Sequence, residues 1–577
     1  MGMSVISGTA FTALKGKGIL PQADLCEAVD QLGRTSSSAA ADPAKPFLRI
    51  PPFPGSPAPH FERLDNSGFD GPALVDRVRR SRVGGTYWAA QPELPSTYVL
   101  VRSSAALKAA RASIDIPASV CWSLAADHSD LSAATLGITH DCDPWHMAKS
   151  ASAVVVEVHD ELRLVASVLG IPTYLHDPRS GEVTRDSEDP EALLAAEFGS
   201  EFRNPFTGEP MSAAEAIDLC SFWRHLIDSN RDVSSGLGFA FWKQKHVAPL
   251  LWNGSKPIQF VRSAAEARAE GAVAVWRSRV GPQDLAELDR SQTSTIEVED
   301  GFLRSQGLGA DCVPPLSITV DRLGAHFDPS RPSALEHLLE TSDFDRDIVA
   351  RAADLRRLIV AAGLGKYERG GAVLDRPGGD RRHILVPGQV EDDRAVITGG
   401  CGLTSNLELL KRVRERAPDA YILYKPHPDV LAGHRRGLIP DRLCLGFADQ
   451  VAGEFAIGSL IAMVDEVHVN TSLAGFEALL RGKQVTAYGV PFYAGWGLTT
   501  DLGPVPDRRS SKRTLDELVA ATLLLYPRYL DPVTGLPCPA EVVVARLCAT
   551  DKRDPSLLVG ARRLQGKFMR RLRSLVQ

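Results

Sequence analysis

The chain has 577 residues, of which 65 are Lys or Arg and 71 are Asp or Glu, for a formal net charge of −6. This balance does not favour nucleic acid, and we expect no nucleic-acid partner. Because one hydrophobic core stops growing at about 250–300 residues, the chain is expected to form several domains. Its hydrophobic content of 44% is typical of a soluble globular protein.

The nine cysteines are scattered without a CxxC pair, which favours reduced thiols in the cytoplasm over a disulfide framework. The first residues, MGMSVISGTAFTALKGKG, lack the basic start, apolar core and cleavage site of a secretory signal. No uncharged apolar run reaches the roughly 20 residues that span a bilayer. We therefore expect a cytoplasmic protein.

Residues 1–235 are predicted to form a separate α/β region. Within it, residues 36–60, SSSAAADPAKPFLRIPPFPGSPAPH, are rich in Ser, Ala and Pro and predict an extended loop. The segment at 230–238, NRDVSSGLG, is polar and contains glycine, so we predict that the region ends near it.

Two patterns in this region recur near the end of the chain. The heptapeptide NPFTGEP at 204–210 resembles DPVTGLP at 531–537, and the succession of strand and helix patterns from 153 to 174 resembles that from 466 to 488. The N-terminal region is thus predicted to be a decayed copy of a later sheet domain. Because it lacks the polar motifs of that domain, we expect a structural or acceptor-binding role for it.

Beyond residue 240, strand and helix patterns alternate, which predicts parallel sheets covered by helices on both faces. A helix is predicted over residues 403–417, where apolar residues share one face. The length predicts two sheet domains, 240–380 and 381–550, facing one cleft. The predicted buried strands are residues 272–276, 295–298, 384–386, 420–424 and 466–469.

Two groups of acids follow predicted strands. Glu299 and Asp300 precede a glycine, and crowding in a cleft can raise a carboxyl pKa for general acid or base work. The alternative is a simple Asp-Gly turn. Gln389 is followed by three acids that include Asp392 and Asp393, where catalysis, solvent exposure and helix capping all remain open.

Two further polar motifs follow strands. Lys425 and His427, in the loop YKPHPD, can neutralise the charge on a departing phosphate, although a structural histidine in a turn is the alternative. Thr471 and Ser472 precede a helix and can present hydroxyl and backbone N–H groups to phosphate, while Glu477 can accept ribose hydroxyls. The alternative is an N-cap followed by an exposed glutamate.

The loop that contains Phe492, Tyr493 and Trp496 is either core or an open part of the site, and its glycines favour the open interpretation. No phosphate-binding GxxxxGK[ST] loop or GxGxxG fingerprint accompanies a strand, so we expect neither ATP hydrolysis nor a nicotinamide cofactor. The cluster that includes His140, Cys142 and His146 fits no zinc spacing.

Taken in order, the motifs EDGFLRSQGLG, LSITVD with HFDPSRPSALE, LVPGQVEDD, YKPHPD, TSLAGFEALLRGK and GVPFYAGWGLTTD resemble those of the retaining β-Kdo transferases of bacterial capsule assembly, over about residues 270–535. The resemblance implies a GT-B fold of two Rossmann-like domains facing a cleft. It also implies a CMP-β-Kdo donor, a Kdo-bearing lipid acceptor and a β-linked product. The alternatives are transfer of another CMP-activated sugar, such as sialic acid, and a non-catalytic scaffold of a capsule assembly complex.

The resemblance also implies roles for residues. Retention requires two inversions and a carboxylate nucleophile, for which we choose Asp393 over Asp392. Asp300 is the expected general acid or base, with Glu299 second. His427 and Lys425 are expected at the phosphate, so that no metal and no cofactor is needed. The other expected substrate-binding residues are Thr471, Ser472, Glu477, Arg304 and Gln389.

The C-terminal segment is predicted to be a basic amphipathic helix over residues 556–577. From Leu557 onward it has six basic residues and no acid, with apolar residues at helical spacing. Such a helix would hold the protein on the cytoplasmic face of the inner membrane, although docking on its own domain is equally open. Other capsule assembly proteins are possible partners. Because only one complete set of motifs is present, we expect one linkage type.

Overall fold

The computed structural model describes residues 46–57, 60–65, 71–94, 96–101, 104–113, 121–123, 135–137, 142–198, 201–267, 271–303, 314–364, 376–433 and 435–549. Outside this part of the chain lie Arg304, residues 140–141, residues 36–45 and 58–59 of the predicted loop, and the predicted helix at 556–577. The chain divides into two compact units, Met1–Asp232 with Leu251–Pro257 and Val233–Leu250 with Ile258–Gln577.

The first unit contains a six-stranded sheet, here called the N-terminal sheet, and a small three-stranded sheet. Its strands are β1 (Arg63–Asp65), β2 (Tyr98–Val101), β3 (Cys121–Ser123), β4 (Thr135–Gly137), β5 (Ala151–Val156), β6 (Thr173–His176), β7 (Val183–Arg185), β8 (Glu201–Arg203) and β9 (Pro210–Ser212). Its helices are Gly71–Ser81, Ser104–Ser113, Pro144–Ala148, Glu161–Leu169, Pro190–Glu197 and Ala213–Asp228.

The N-terminal sheet has the order β4-β3-β2-β5-β6-β7. Its first five strands in sequence are parallel, and β7 is antiparallel to β6. Successive residues of a strand point to opposite faces, so Leu100 and Val154 pack on one face while Val99 and Val155 pack on the other. Counted along the chain, the strand order is 3-2-1-4-5-6, as in Rossmann domains.

The second unit contains a seven-stranded and a six-stranded sheet. Its strands are β10 (Val233–Leu237), β11 (Gln259–Val261), β12 (Ala272–Val275), β13 (Thr295–Asp300), β14 (Ser317–Asp321), β15 (His383–Pro387), β16 (Tyr421–Lys425), β17 (Gln450–Val451), β18 (Glu466–Val469), β19 (Gln484–Ala487), β20 (Thr500–Asp501), β21 (Pro527–Leu530) and β22 (Pro537–Cys538). Its α-helices are Phe241–Val247, Pro282–Arg290, Ala334–Thr341, Arg346–Ala361, Arg394–Gly399, Asn406–Arg416, Pro428–Leu431, Asp441–Cys444, Ile457–Met463, Leu473–Leu480, Leu515–Val519 and Ala540–Ala549.

The seven-stranded sheet, here called the mixed sheet, has the order β11-β10-β12-β13-β14-β21-β22. Strands β10 to β13 are parallel, whereas β14, β21 and β22 each pair antiparallel with the preceding strand. All four residues of β12, AVAV, are buried, as is usual for a parallel strand covered on both faces. This sheet positions the end of β13, which carries the first predicted acids.

The six-stranded sheet of this unit, here called the parallel sheet, has the order β17-β16-β15-β18-β19-β20. All of its strand pairs are parallel. Its order along the chain is again 3-2-1-4-5-6, so the two sheets share one strand order, and the decayed copy stays a prediction. The five buried strands predicted from the sequence are all present. The predicted helix is also present and spans Asn406–Arg416.

The end of the chain leaves the parallel sheet and returns to the mixed sheet. Strand β21 pairs with β14 through Ser317 and Tyr529, and Arg351 forms an ion pair with Glu541 in the last described helix. The segment predicted as one domain, 381–550, therefore contributes to both sheets. Nothing in the short sequence of β21, PRYL, distinguishes a strand of one sheet from a strand of the other.

The two copies of the heptapeptide form the same turn. The side chain of Asn204 accepts hydrogen bonds from the backbone N–H groups two and three residues on, at 2.9 and 3.3 Å. Asp531 does the same at 3.2 Å for both. Gly208 and Gly535 follow with φ of 74° and 71°, which a side chain would disfavour. Each turn closes a hairpin that leads into a helix, so the repeat extends beyond the sheet.

The two sheets of the second unit are joined by side chains at their facing edges. The ring of Phe302, just after β13, lies 4.7 Å from that of Phe492, in the loop after β19. The hydroxyl of Thr398 donates to the carbonyl of Phe327 at 3.3 Å. Two Rossmann-like domains that face one cleft form the GT-B arrangement that the resemblance implied. Within the described parts of the chain, no helix is both long and apolar enough to cross a membrane.

Candidate functional site

The loop after β15 is held in one shape by a single asparagine. Asn406, which is buried, accepts a hydrogen bond from the backbone N–H of Gln389 and donates to its carbonyl, both at 2.8 Å. It also donates to the carbonyl of Gly437 at 3.0 Å. Buried backbone groups need such partners when they lie outside a strand or helix. The loop 389–393 is therefore a fixed part of the sheet edge.

A second contact ties this loop to the one after β18. The side-chain amide of Gln389 donates to the hydroxyl of Thr471 at 3.0 Å, and its carbonyl oxygen accepts from the backbone N–H of Thr471 at 2.9 Å. Because β15 and β18 are neighbouring parallel strands, their carboxyl ends meet at this edge. Gln389 thus positions the start of the helix that follows Thr471.

The three consecutive acids after β15 have different surroundings. The side chain of Glu391 accepts a hydrogen bond from a helix N-terminus at 2.8 Å. Asp392 is 48% exposed and pairs with Arg435 at 3.2 Å. Asp393 caps the next helix by accepting a backbone hydrogen bond at 3.0 Å. Burial is the main cause that raises the pKa of Glu299, and the charge of Asp393 adds a small part to that rise. Among the three, Asp393 is the acid whose charge acts on a group of the facing sheet.

His427 and Lys425 have different local partners. The Nδ1 atom of His427 accepts a hydrogen bond from the backbone N–H of Asp429 at 3.1 Å, which caps a short helix. In the neutral ring this bond leaves the proton on Nε2. Lys425 is buried, and its ammonium group donates to the carbonyl of Gly453 at 2.9 Å. Lys425 therefore has a structural partner at the end of β16.

The helix after β18 begins at the edge where these loops meet. Ser472 is its N-cap, and its hydroxyl accepts from the backbone N–H of Ala474 at 3.2 Å. Glu477 lies on this helix and is buried, so the alternative of an exposed glutamate is wrong. The backbone N–H groups at such a helix start favour an anion.

The aromatic loop after β19 is core. The side chains of Tyr493 and Trp496 are completely buried, and the hydroxyl of Tyr493 donates to the carbonyl of Ser472. A Cβ atom on Gly475 would lie 2.2 Å from that hydroxyl. The interpretation of an open loop is therefore wrong, because the glycines permit close packing rather than exposure. Through the contact of Tyr493 with Ser472, the loop packs against the start of this helix.

The mixed sheet contributes Glu299 and Asp300 at the end of β13. The ammonium group of Lys243 lies 2.8 Å from a carboxylate oxygen of Asp300 and 3.5 Å from the centroid of the Trp276 ring. The Lys243 side chain is only 10% exposed. Its charge is thus largely committed to Asp300 and the indole ring.

Glu299 differs from its neighbour. Its side chain is 19% exposed, and burial, reinforced by the adjacent Asp300, raises its pKa to about 8. The guanidinium of Arg394 lies 3.5 Å from the carboxyl oxygen and opposes this rise only in part. At neutral pH Glu299 is therefore mainly protonated, beside a carboxylate that is neutralised by Lys243.

Sequence reasoning missed several residues that shape this cleft. Arg394 directly follows Asp393 and reaches across to the acids of β13. Lys243 comes from a helix far earlier in the chain and has no motif around it. Arg277 and Arg331 both contact Glu297, which lies on the same face of β13 as Glu299. Two of them had a signal in the sequence: Arg394 follows the acidic run, and Arg331 lies in the motif HFDPSRPSALE.

The arrangement combines a helix start whose N–H groups favour anions, a histidine and two kinds of carboxyl group at the facing edges of the two sheets. The carboxylate of Asp393 can act as a nucleophile or stabilise a cation, and Glu299 can exchange a proton near neutral pH. Among the described residues, no group of three or more His, Cys, Asp and Glu side chains is arranged to hold a metal ion. This chemistry suits group transfer from a phosphate-activated substrate.

The chain resembles known proteins over the same region. Residues 272–373 and 374–529 match the family described as capsule polysaccharide biosynthesis protein. The chain is 40% identical over 348 residues to the capsule polysaccharide modification protein LipA of Neisseria meningitidis serogroup A, covering 59% of this chain and 49% of LipA. It is 48% identical over 244 residues to the lipopolysaccharide-processing protein LpsZ of Rhizobium meliloti, covering 42% of this chain and 55% of LpsZ.

Among solved structures, the chain is similar to the Thermosulfurimonas dismutans KpsC β-Kdo 2,7 transferase, with 35% identity and a TM-score of 0.45. That match covers 55% of this chain and 98% of the other. The chain spans about half the length of the curated relatives that it matches. Through residues 272–529, this chain belongs to the family of capsule polysaccharide biosynthesis proteins.

Proposed function

We propose that this protein is a glycosyltransferase that moves Kdo, an acidic sugar, from CMP-β-Kdo to a Kdo-bearing lipid acceptor with retention, in capsular polysaccharide biosynthesis. The observation that carries the proposal is that acids of the two sheets meet at Arg394, which directly follows Asp393 and whose guanidinium lies 3.5 Å from the carboxyl group of Glu299. One carboxyl group is mainly protonated and the other caps a helix. Double displacement at an anomeric carbon needs two carboxyl groups with such separate roles.

The parallel sheet would bind the CMP part of the donor. The helix start at Ser472 and the Nε2–H group of His427 offer donors to the phosphate, and Glu477 offers a carboxylate to the ribose. Neutralising the phosphate makes CMP a better leaving group, so we also propose that the reaction needs no metal. Lys425 would act at a distance, by its charge and by holding its loop.

In the first step, Asp393 would attack the anomeric carbon of the sugar while the bond to the phosphate breaks and CMP leaves. The product is a glycosyl ester on Asp393, with inverted configuration. Capping already orients this carboxylate through one oxygen, which leaves the other oxygen for the attack. Asp392 is exposed and paired with Arg435, so it is the weaker candidate.

In the second step, an acceptor hydroxyl would attack the anomeric carbon of the glycosyl ester. The bond from that carbon to Asp393 would break and free its carboxylate, while a base takes the proton of the hydroxyl. We assign this role to Glu299 rather than to Asp300, which was first from the sequence, because Lys243 neutralises Asp300. Burial and then Asp300 raise the pKa of Glu299 most, and the negative charge of Asp393, which forming the ester removes, adds the smallest part of that rise. The first step would therefore lower the pKa of Glu299 and favour its ionised form when a base is needed.

The Kdo substrate rests on the relatives. The similar protein from Thermosulfurimonas dismutans is a β-Kdo 2,7 transferase, and the curated relatives are described as capsule or lipopolysaccharide proteins. Contact with the inner membrane through residues 556–577, and with other capsule assembly proteins, also remains a proposal. Purified protein with CMP-Kdo and a Kdo-lipid acceptor should release CMP and form a β-linked product, with or without EDTA.

Three results would overturn the proposal in different ways. An α-linked product would exclude retention. Release of CMP from CMP-sialic acid, but not from CMP-Kdo, would identify the other sugar. Failure to release CMP from either donor would favour a non-catalytic scaffold.

A further inference from the structure

Three arginines converge on one buried glutamate beside the proposed catalytic acids. The carboxylate of Glu297, whose side chain is 6% exposed, contacts the guanidinium of Arg277 at 3.0 Å, that of Arg331, and that of Arg394 at 3.7 Å. These four residues are here called the arginine cluster. Arg394 also reaches Glu299, so the cluster borders the cleft.

The cluster is built from four separate parts of the chain. Glu297 and Glu299 are two apart on β13 and share a face of the mixed sheet. Arg277 follows the neighbouring strand β12, and Arg331 lies in the loop before the helix Ala334–Thr341. The guanidinium of Arg394 is held 5.0 Å from the ring centroid of Phe327. Such support fixes the positions of the charges.

The cluster carries more positive charge than its own acids balance. Within the arginine cluster, three guanidinium groups contact the single carboxylate of Glu297. The arginine side chains are 26%, 40% and 25% exposed, for Arg277, Arg331 and Arg394, so solvent or a ligand reaches them. Like charges this close repel one another and favour binding of an anion.

The N–H groups of the arginine side chains favour a carboxylate as the anion that the cluster binds. Arg277 uses its Nε atom on Glu297 and Arg331 uses one Nη atom, which leaves further N–H groups of both forks for another acceptor. Planar guanidinium groups suit carboxylates through paired hydrogen bonds. The donor phosphate has its expected site on the other sheet. We propose that the arginine cluster binds the carboxylate of an acidic sugar in the cleft and so selects acidic sugars.

This inference rests on the proposed function for the identity of the sugar, but its test does not require turnover. Calorimetric titration of the full chain measures the Kd of a soluble Kdo glycoside, its C1 amide and CMP-Kdo. Arg331→Gln is expected to weaken binding of a carboxylate-bearing ligand about tenfold or more, as for the loss of a charge-assisted bond. Arg331→Lys should recover part of this loss, and the amide should bind wild type and variant equally.

The ligand that loses affinity identifies the source of the carboxylate. Weaker binding of the glycoside assigns the cluster to the acceptor, and weaker binding of CMP-Kdo assigns it to the donor. Arg290→Gln is the control, because Arg290 is 70% exposed on the helix Pro282–Arg290 of the same domain. Unchanged affinities in Arg331→Gln, or an equal loss for the amide, would overturn the inference. Absence of CMP release would contradict the proposed function alone.

Discussion

The N-terminal sheet and the parallel sheet share one strand order but differ in their loops. Both run 3-2-1-4-5-6. In both, a glycine with positive φ follows the helix after the fourth strand, Gly170 as the C-cap in one and Gly482 directly after the C-cap in the other. The residues between cap and glycine are equal in number. Buried apolar side chains are therefore enough to keep this topology without the polar groups of the cleft.

The same helix shows where the two sheets diverge. In the N-terminal sheet its cap is Asp160, which accepts a backbone hydrogen bond at 2.9 Å, whereas the parallel sheet has the neutral Ser472. The buried Val165 stands where the parallel sheet has Glu477. A carboxylate at a helix start satisfies the site that would otherwise attract phosphate. The comparison teaches that an anion site can be lost while the helix and its cap are kept.

The largest effect is expected from removing the proposed nucleophile of the parallel sheet. Asp393→Asn should lower transfer by about 10⁴-fold or more, because the covalent step is lost. Asparagine caps helices as well as aspartate does, so the fold should persist. Steady-state release of CMP is the measurement. Asp392→Asn is the matched control, and an equal loss in both variants would remove Asp393 from this role.

A smaller loss is expected at the facing acid. Glu299→Gln should slow transfer about 10²–10⁴-fold, as for loss of a general base. Since the base form of Glu299 grows with pH, transfer by the wild type should rise with pH, with a midpoint below 8, the approximate pKa of the resting enzyme. The variant should lose this rise in a pH–rate profile. A profile that falls through the same range in the wild type would contradict the assignment.

His427→Asn tests the phosphate site. It should lower turnover about 10²–10³-fold through loss of one donor to the leaving group. Asparagine can replace the cap that Nδ1 provides. Thermal unfolding checks that the loop persists. Full activity with unchanged KM for the donor would assign His427 to structure alone.

The smallest effect is expected when the helix cap of the parallel sheet is replaced by the aspartate cap of the N-terminal sheet. Ser472→Asp copies the cap of the N-terminal sheet and should raise the Kd for CMP about tenfold, because the new carboxylate repels phosphate. The melting temperature should hold or rise. Asp160→Ser is the matched control and should leave the affinity for CMP unchanged. Equal binding of CMP by Ser472→Asp and wild type would show that the cap does not distinguish the sheets.

Much of this fold was predictable, since apolar runs such as Ile384–Val386 identify buried parallel strands and the polar residues after them identify the cleft edge. The return of β21 to the mixed sheet was not, because strand pairing depends on tertiary contacts. The prediction for the aromatic loop was wrong because glycines occur both in open loops and where two segments of the chain pack closely together. Tyr493, completely buried, required the second interpretation.

The site was predictable where one segment carries several of its groups. The run that ends in Asp393 and the Thr471–Ser472 pair lie in continuous motifs. Lys243 reaches the cleft from a distant helix, and no local pattern marks it. Arg331 lies in the motif HFDPSRPSALE, but the motif does not reveal its contact with Glu297. The difference between Glu299 and Asp300 also depends on burial and on Lys243, which adjacent positions in a sequence do not reveal.

The central claim is that Asp393, in the parallel sheet, forms a covalent bond to the sugar. Intact mass of Glu299→Gln after incubation with CMP-Kdo and acceptor tests it most directly, since that variant should form the ester but break it down slowly. We predict an adduct of one sugar residue, mapped to Asp393 and absent when Asp393→Asn is added. An adduct that persists in the double variant, or β-linked product from a protein lacking Asp393, would contradict the account.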